Sequence, residues 1–592
     1  MPFPATCQLA SPDEQIAAQR AVIARFEAAL WDGGFNEHLL PSYQSAWRRL
    51  ESLIARRGDD CRHHFVLVIP VADSPAQLRR CLASLLELCR LYGYGGREGD
   101  HFKKLTVILA DDTQDADLIA ANQAIAREFD AQGLAIRHFG LAEQLALMDR
   151  LAGTADLGTI VGNSPRDAYG HKGQAMMRNI AYLHLARIAE SDAPLLFYTL
   201  DADQQFKVKL ETLEGDGSYY AVNFLAQLDA IFSATDADVL TGKVVGDPPV
   251  SPAVMAGNFL DDVAGFLHEM AASDPAQPYR RNAANTQESD AAYHDMAGLF
   301  GFENPADAYR YRCALVGTPS NAACFGDFSQ RLKRFFHGEH PTRITWYRHQ
   351  TILDSVQPAR TVYTGNYVFR PCALNWFIPF APLRLRMSGP TLGRLMKAEL
   401  GDKFVSANLP MLHTRTLDDT GEAEFRPGVV TEAEAIDLAD EFERQFYGDV
   451  MLFSVERLTA LGFPRQALSS GTISATLDAV HAEMEQRYSA RHTAIVKKLD
   501  VLTRMLDDPA HWWHAPAHDE AVAHFRVFLA NMQRNFGMDS PAHACIASDA
   551  KWQHWRQRQL AALTRFHADR SAWNRALAAL TPQALRRDSG QA

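Results

Sequence analysis

Between residues 64 and 242 the chain alternates short β-branched apolar runs with stretches of helical periodicity. Phe65-Val-Leu-Val-Ile-Pro70, Leu105-Thr-Val-Ile-Leu-Ala110, Ala135-Ile-Arg-His-Phe139, Leu195–Leu200 and Asp238-Val-Leu-Thr-Gly242 are each too short for a buried helix and rich in strand formers. Helical patterns over Ala76 to about Leu91 and over Gly173–Glu190 separate some of them. This alternation predicts an α/β fold, a Rossmann-like and mostly parallel sheet with helices on both faces. Ligands of such sheets bind beyond the C-terminal ends of the strands. The residues that follow each apolar run are therefore where chemistry is expected.

The flanks read differently. Residues 12–57 are helical in pattern, and Ser11 before Pro12-Asp-Glu is a candidate N-cap. From Thr431 onward amphipathic segments follow one another: Ala433–Phe446, Val450–Leu461, Thr472–Tyr488, His492–Leu506, His518–Asn535 and Lys551–Leu580. Pro427-Gly428 marks a boundary before them. At 592 residues the chain exceeds one ordinary core. The expected division is an N-terminal helical segment (1–60), an α/β domain (61–428) with an insertion at about 243–360, and an all-α C-terminal domain (429–592). Asn258–Met270, Ala291–Leu299 and Ser329–Phe336 are helix candidates in the insertion. The C-terminal helices are expected either to build a homo-oligomer or to cover a substrate cleft.

A net charge of −12 argues against a nucleic-acid partner. The eight cysteines form no Cys-x-x-Cys pair, so neither a zinc knuckle nor a disulfide framework is indicated, and reduced thiols are expected. The opening Met-Pro-Phe-Pro-Ala lacks the pattern of a signal peptide. No apolar run approaches the ~20 residues that span a bilayer. Pro371–Pro382 is the nearest to one, and its three prolines make it an irregular buried wall. A cytoplasmic protein with no transmembrane segment is the expectation.

Four motifs fall at strand ends or helix starts. They are Ile69-Pro70-Val71-Ala72-Asp73, Ala110-Asp111-Asp112-Thr113, Gly170-His171-Lys172-Gly173 through Arg178-Asn179, and Asp201-Ala202-Asp203. Two carboxylates one residue apart, just past a core strand, suit a hard divalent cation, which keeps its other positions for water and phosphate oxygens. Asp111 or Asp112 suits the base imide or ribose hydroxyls of a nucleotide. The helix start near Gly173, with Lys172, favours phosphate. Arg178 either reaches a phosphate or caps a neighbouring loop.

This order resembles the GT-A glycosyltransferases, particularly the family 2-like enzymes and the mannosylglycerate and glucosyl-phosphoglycerate synthases. The resemblance runs from about Phe65 to Arg415 and implies the GT-A fold, a Rossmann-like mixed sheet with helices on both faces. It includes Thr364-Gly365-Asn366-Tyr367-Val368-Phe369-Arg370, Arg386-Met-Ser-Gly-Pro-Thr-Leu-Gly-Arg394 and Asn408-Leu-Pro-Met-Leu-His413-Thr-Arg415. It implies a bacterial hexosyltransferase moving sugar from a UDP- or GDP-sugar to a hydroxyl acceptor, with Mg²⁺ or Mn²⁺. On that resemblance Asp201, Asp203 and His413 would hold the metal. Pro70, Val71, Asp73, Asp111, Asp112, Lys172, Arg178, Asp201, Ala202 and Arg415 would hold the nucleotide sugar. Asp203, Lys172 and Arg394 would be catalytic.

Two departures stand out. Pro390-Thr391 occupies the place where many inverting members carry an acidic base, which leans towards retention. About 120 residues separate Gly242 from Gly365, more than a compact member needs. The insertion carries a basic, His-rich stretch from Arg331 to His349, which would suit an anionic acceptor or form a solvated helix face. Gly317–Gly326 is a sugar-lining loop or a packing turn, and Trp512-Trp513-His514 an interhelix cluster. A nucleotidyltransferase is the alternative enzyme, although Val71-Ala-Asp-Ser-Pro75 has no glycine-rich phosphate loop. A nucleotide-binding scaffold without catalysis is the other alternative.

Overall fold

The run Phe65–Pro70 lies in β1 (His64–Val71), buried along nearly its whole length in the middle of a nine-stranded sheet. The structure is a computed structural model and describes residues 11–189, 194–212, 215–280, 311–417 and 428–581. β2 (Leu105–Asp111), β3 (Ala135–Phe139) and β4 (Leu195–Leu200) join β1 in the parallel order β3-β2-β1-β4. Beyond β4 the sheet becomes mixed. β5 (Val239–Gly246) and β7 (Phe404–His413) are parallel to each other, and β6 (Asn366–Phe369) is antiparallel to both β4 and β5. Gln357–Pro358 adds an edge to β7, and Gln204–Gln205 pairs antiparallel with its C-terminal end. That last pairing carries the chain leaving β4 across to His413.

One face of the sheet is covered by α1 (Pro12–Trp31), α2 (Leu40–Arg57), α3 (Pro75–Tyr92) and α4 (Ala116–Asp130), whose apolar residues share one core with β1 and β2. Ser11 caps α1 as expected, its hydroxyl accepting from Glu14 N while the Glu14 carboxylate accepts from Ser11 N at 2.7 Å. The other face packs on α5 (Gln174–Leu185), α6 (Pro252–Ala271), α7 (Asn321–Arg331) and α8 (Ser388–Leu400). This second core runs without a break into the C-terminal helices α9 (Ala439–Ala460), α10 (Ser470–Asp507), α11 (Asp519–Phe536) and α12 (Asp549–Leu580). Buried Trp573 donates to the Leu374 carbonyl at 2.8 Å, which fixes α12 to the Pro371–Pro382 wall. No described helix is long and apolar enough to cross a membrane.

Several expectations need correction. Residues 433–438 are not helical: Val430–Glu432 and Ala435–Asp437 form a hairpin, held by Asn531 and Asn535 of α11 through Ile436 and Leu438. Thr472–Tyr488 and His492–Leu506 are one continuous helix, α10, because no glycine or proline interrupts them. The helix expected over Ser329–Phe336 starts earlier, as α7, and ends as a 3₁₀ turn. Ala291–Leu299 lies outside the described residues. Cys313 and Cys324 form a disulfide, contrary to the expectation of reduced thiols only; α7 brings together two cysteines that no short motif connects. The basic stretch of the insertion is largely tied into the fold. Arg331 pairs with Asp327, Arg334 with Glu339, and buried Arg343 with buried Asp262 at 2.9 Å. Gly317–Gly326 leads into α7, whose Phe325 stacks on buried Trp513, so both segments serve packing.

Candidate active site

The C-terminal ends of β1, β2, β4, β5 and β7 open on one cleft of about 900 Å³. It is lined by Pro70 and Val71 at the end of β1, by Ala72 after it, and by Asp112, the 171–177 segment and Asp201–Asp203. Asp73 and Asp111 do not line it. Asp111 accepts from Thr113 N at 3.0 Å and from Asn122, and His138 Nε2 lies 3.0 Å away. Burial pushes its carboxyl up, but these partners outweigh burial and hold it below the ordinary carboxylate value. Asp111 is thus an anchor of the β2 end, and Asp112 is the acid that faces the cleft.

Three loops are tied together around Asp112. Its carboxylate sits 2.6 Å from Lys172 Nζ and accepts from Gly173 N at 3.0 Å, while its carbonyl accepts from His171 N at 2.7 Å. His171 Nε2 is 2.6 Å from the Asp73 carboxylate. Lys172 is fully buried, donates to the Tyr169 carbonyl and lies over the Tyr169 ring. Burial pushes the Asp112 carboxyl up and the Lys172 amine down, each opposed by the charge of the other. Gly173, with φ of 98°, turns the chain into α5 where a side chain would be strained.

Arg178 is almost fully buried on α5 and donates to Oδ1 of Asp201. It does not line the cleft, so its charge positions Asp201 and does not face a ligand directly. Oδ2 of Asp201 lies against Gly365, where a Cβ would stand 2.7 Å from it. Asp203 is held from the other side. His413 Nε2 is 2.9 Å from its Oδ2, and Arg415 Nη1 is 3.5 Å away. His413 Nδ1 meets the Asp247 carbonyl at 2.7 Å, and Arg415 N donates to the Asp247 carboxylate at 2.8 Å. A ring nitrogen facing a carbonyl must carry hydrogen, so in the neutral ring Nε2 presents its lone pair towards Asp203. Burial disfavours the imidazolium, but Asp203 outweighs it and raises the His413 pKa.

Among the described residues no three metal-ligating side chains converge on one point. The donor chemistry nevertheless fits a hard divalent ion. Asp203 and His413 are spaced like two neighbouring ligands, and Asp201 can join through Oδ2 alone, because Oδ1 is taken by Arg178. Such an ion needs only one or two protein carboxylates. Arg394 also lines the cleft, bound to Glu456 at 3.1 Å and to the Arg360 carbonyl at 2.7 Å.

Asp247 was not singled out in the sequence. Its signal was present, since it is one more acid at the end of an apolar strand that runs on to Gly246. The cleft's outer wall gave no such signal. It comes from α9 and α12, so the C-terminal helices cover the cleft.

No family model matches the chain, and no curated protein matches it. Among solved structures it is similar to the mannosyltransferase PcManGT from Pyrobaculum calidifontis, in complex with GDP-Man and Mn²⁺, at 9% identity and a TM-score of 0.30, over 87% of this chain and 98% of that one. It is also similar to TarS 1–349 of S. aureus, at 10% identity and a TM-score of 0.25, over 80% and 91%. Similarities this loose decide neither fold nor function, and the functional reading rests on the site.

Proposed function

We propose that this chain is a metal-dependent glycosyltransferase that moves a sugar from a UDP- or GDP-sugar to a hydroxyl acceptor. The observation that supports it is that Asp112, Asp201, Asp203 and His413, from three strand ends, line one cleft large enough for a nucleotide sugar. Asp203 and His413, joined by Asp201 through Oδ2, would hold the ion. When bound, the ion supplies charge that stabilises the departing diphosphate.

The chain's own groups have definable tasks. Asp112 is the acid available to a ribose or base hydrogen-bond donor. Lys172 holds Asp112 in place and is the nearest buried cation to the start of α5. Arg178 orients Asp201, and Arg415 adds positive charge beside Asp203. Pro70 and Val71 form the apolar floor against which a base can lie. Retention is the proposed stereochemical outcome, because Pro390-Thr391 on α8 offers no base; the anomeric configuration of the product, read by NMR, tests it.

A thermal-shift screen of UDP- and GDP-sugars with and without Mn²⁺ tests the reading. A donor held at about 100 times its Kd should stabilise the fold by about 2.7 kcal/mol, and only with the metal present. No shift with any sugar nucleotide, or release of pyrophosphate from a nucleoside triphosphate, would overturn it.

A further inference from the structure

Leu200 is the last residue of β4 in register with β6, opposite Asn366, and Asp201 lies beyond that ladder. A backbone N–H past the end of a ladder needs another acceptor. Gln204 supplies it. Its Oε1 accepts from Asp201 N at 3.2 Å, and its own N–H donates to the Asp201 carbonyl at 3.2 Å. The two residues hold each other in both directions, and the turn between them carries Asp203. Gln204 is fully buried, and its backbone pairs with His413 at the end of β7. One residue thus meets Asp201 through its side chain and His413 through its register, the two sides of the candidate ion site.

The amide of Gln204 has a fixed polarity. Oε1 faces an N–H and must accept, so Nε2 can only donate. It donates to the Tyr363 hydroxyl oxygen at 2.7 Å. Tyr363 is buried and lines the cleft, and the segment that carries it is pinned between two strands. Tyr363 N donates to the Thr241 hydroxyl of β5 at 3.0 Å, and the Thr199 hydroxyl of β4 donates to the Thr364 carbonyl at 2.9 Å. Gly365 follows, where a Cβ would lie within 3.1 Å of Oδ2 of Asp201, Nε2 of Gln204 and the Tyr363 ring. The chain Tyr363–Gln204–Asp201 is anchored on the sheet at one end. At the other it reaches the residue whose Oδ1 Arg178 already holds. Arg178 fixes the carboxylate, and Gln204 fixes the backbone that bears it.

We infer that Gln204 and Tyr363 are positioning residues that set Asp201 at the separation from Asp203 and His413 that a divalent ion requires. Neither side chain has to touch the ion, because both act through Asp201. The inference deepens the transferase reading and rests on its metal site. Groups that orient metal ligands from behind are worth about 10–100-fold in metal affinity.

Calorimetric titration of Mn²⁺ into the full chain, with and without GDP or UDP, tests this. Gln204→Met keeps the length of the side chain and removes both bonds, and Tyr363→Phe removes one oxygen. Both should weaken Mn²⁺ binding, Gln204→Met by about tenfold or more. The double variant should bind no more weakly than Gln204→Met, because both changes cut one chain. At saturating Mn²⁺ the nucleotide Kd of Tyr363→Phe should match that of wild type. A lowered melting temperature with an unchanged Mn²⁺ Kd would mark a merely structural role and overturn the inference. So would additive losses in the double variant. Nucleotide binding by Tyr363→Phe that stays weak at saturating Mn²⁺ would also overturn it, by making the hydroxyl a ligand contact. Absence of Mn²⁺ binding in wild type, with or without nucleotide, removes the metal site and the inference together. Mn²⁺ binding that the variants weaken, in a chain that binds no sugar nucleotide, keeps the positioning role and sinks the transferase reading. Should Gln204→Met fail to fold, Tyr363→Phe carries the test.

Discussion

Nε2 of His413 lies 2.9 Å from Oδ2 of Asp203, joining the end of β7 to the residues that leave β4. The two positions are 210 residues apart in sequence, and Gln204–Gln205 makes the contact possible by pairing with Leu412 and His413. The carbonyl of Asp247 fixes the ring from behind. Each of the three comes from a different strand end, so the contact exists only when the mixed half of the sheet is formed.

Asp203→Ala removes the carboxylate that faces both His413 and Arg415. Transfer and donor hydrolysis should both fall by about 10²–10³-fold, the loss typical of removing one group that stabilises developing charge. The circular dichroism spectrum should stay native. Metal-dependent turnover at the wild-type rate in this variant would remove the site assignment.

Arg178→Met leaves Asp201 without the cation that holds its Oδ1. Arg178 is buried, so its loss strands a mostly buried carboxylate and should cost about 3–5 kcal/mol in urea denaturation. The double variant Arg178→Met/Asp201→Asn should recover most of that stability without recovering turnover. A phosphate-contacting arginine would instead raise the donor KM and leave stability unchanged.

Gly365→Ala places a Cβ 2.7 Å from Oδ2 of Asp201 and 2.8 Å from Gln204 Nε2. Both groups must move, and Asp201 is the one beside the ion's position. The variant should lose activity by about tenfold or more, as a misplacement of roughly an ångström does. An unchanged kcat/KM would show that the Asp201 position is not used.

Asp449 on α9 is fully buried and accepts from the Tyr488 hydroxyl at 2.6 Å and from Gln445 at 2.9 Å. Burial outweighs these bonds and raises its pKa from 3.8 to about 6. The folded state therefore holds this proton over a range where the unfolded chain has released it. The contribution of this group to stability should be greatest below about 4, decline as pH rises to about 6, and level off above, with a total change on the order of 3 kcal/mol. In Asp449→Asn that component of the urea-measured pH slope should vanish. A slope identical to wild type would assign the pH dependence to other groups.

The strand ends were legible because period and burial leave a mark on short runs. The run Pro194–Leu200 before Asp201 reads as a core strand, and such a strand delivers its next residues to the C-terminal edge of the sheet. His413 was singled out only by the resemblance of the Asn408–Arg415 segment to the GT-A enzymes, whereas the same logic reached Asp112 and Asp203. It did not separate Asp111 from Asp112, since adjacent residues point to opposite sides and the choice depends on where His138 and Asn122 stand. It gave Arg178 two roles, a phosphate contact or a loop cap, and the structure places it instead against the Asp201 carboxylate, which neither reading named. It read the basic stretch of the insertion as a candidate ligand surface, whereas Asp262, Asp327 and Glu339 take up several of those charges.

The amino-acid order alone determined the α/β class, the capped first helix, the helical C-terminal block and the acids that end the strands. Those are local consequences of side-chain periodicity, backbone preference and chain polarity. Only the tertiary structure decided that β6 enters antiparallel between β4 and β5, that Asp203 meets His413, and that α9 and α12 close the cleft. Contacts between residues hundreds of positions apart depend on which apolar faces bury each other, and the pattern of any one segment does not name its partner.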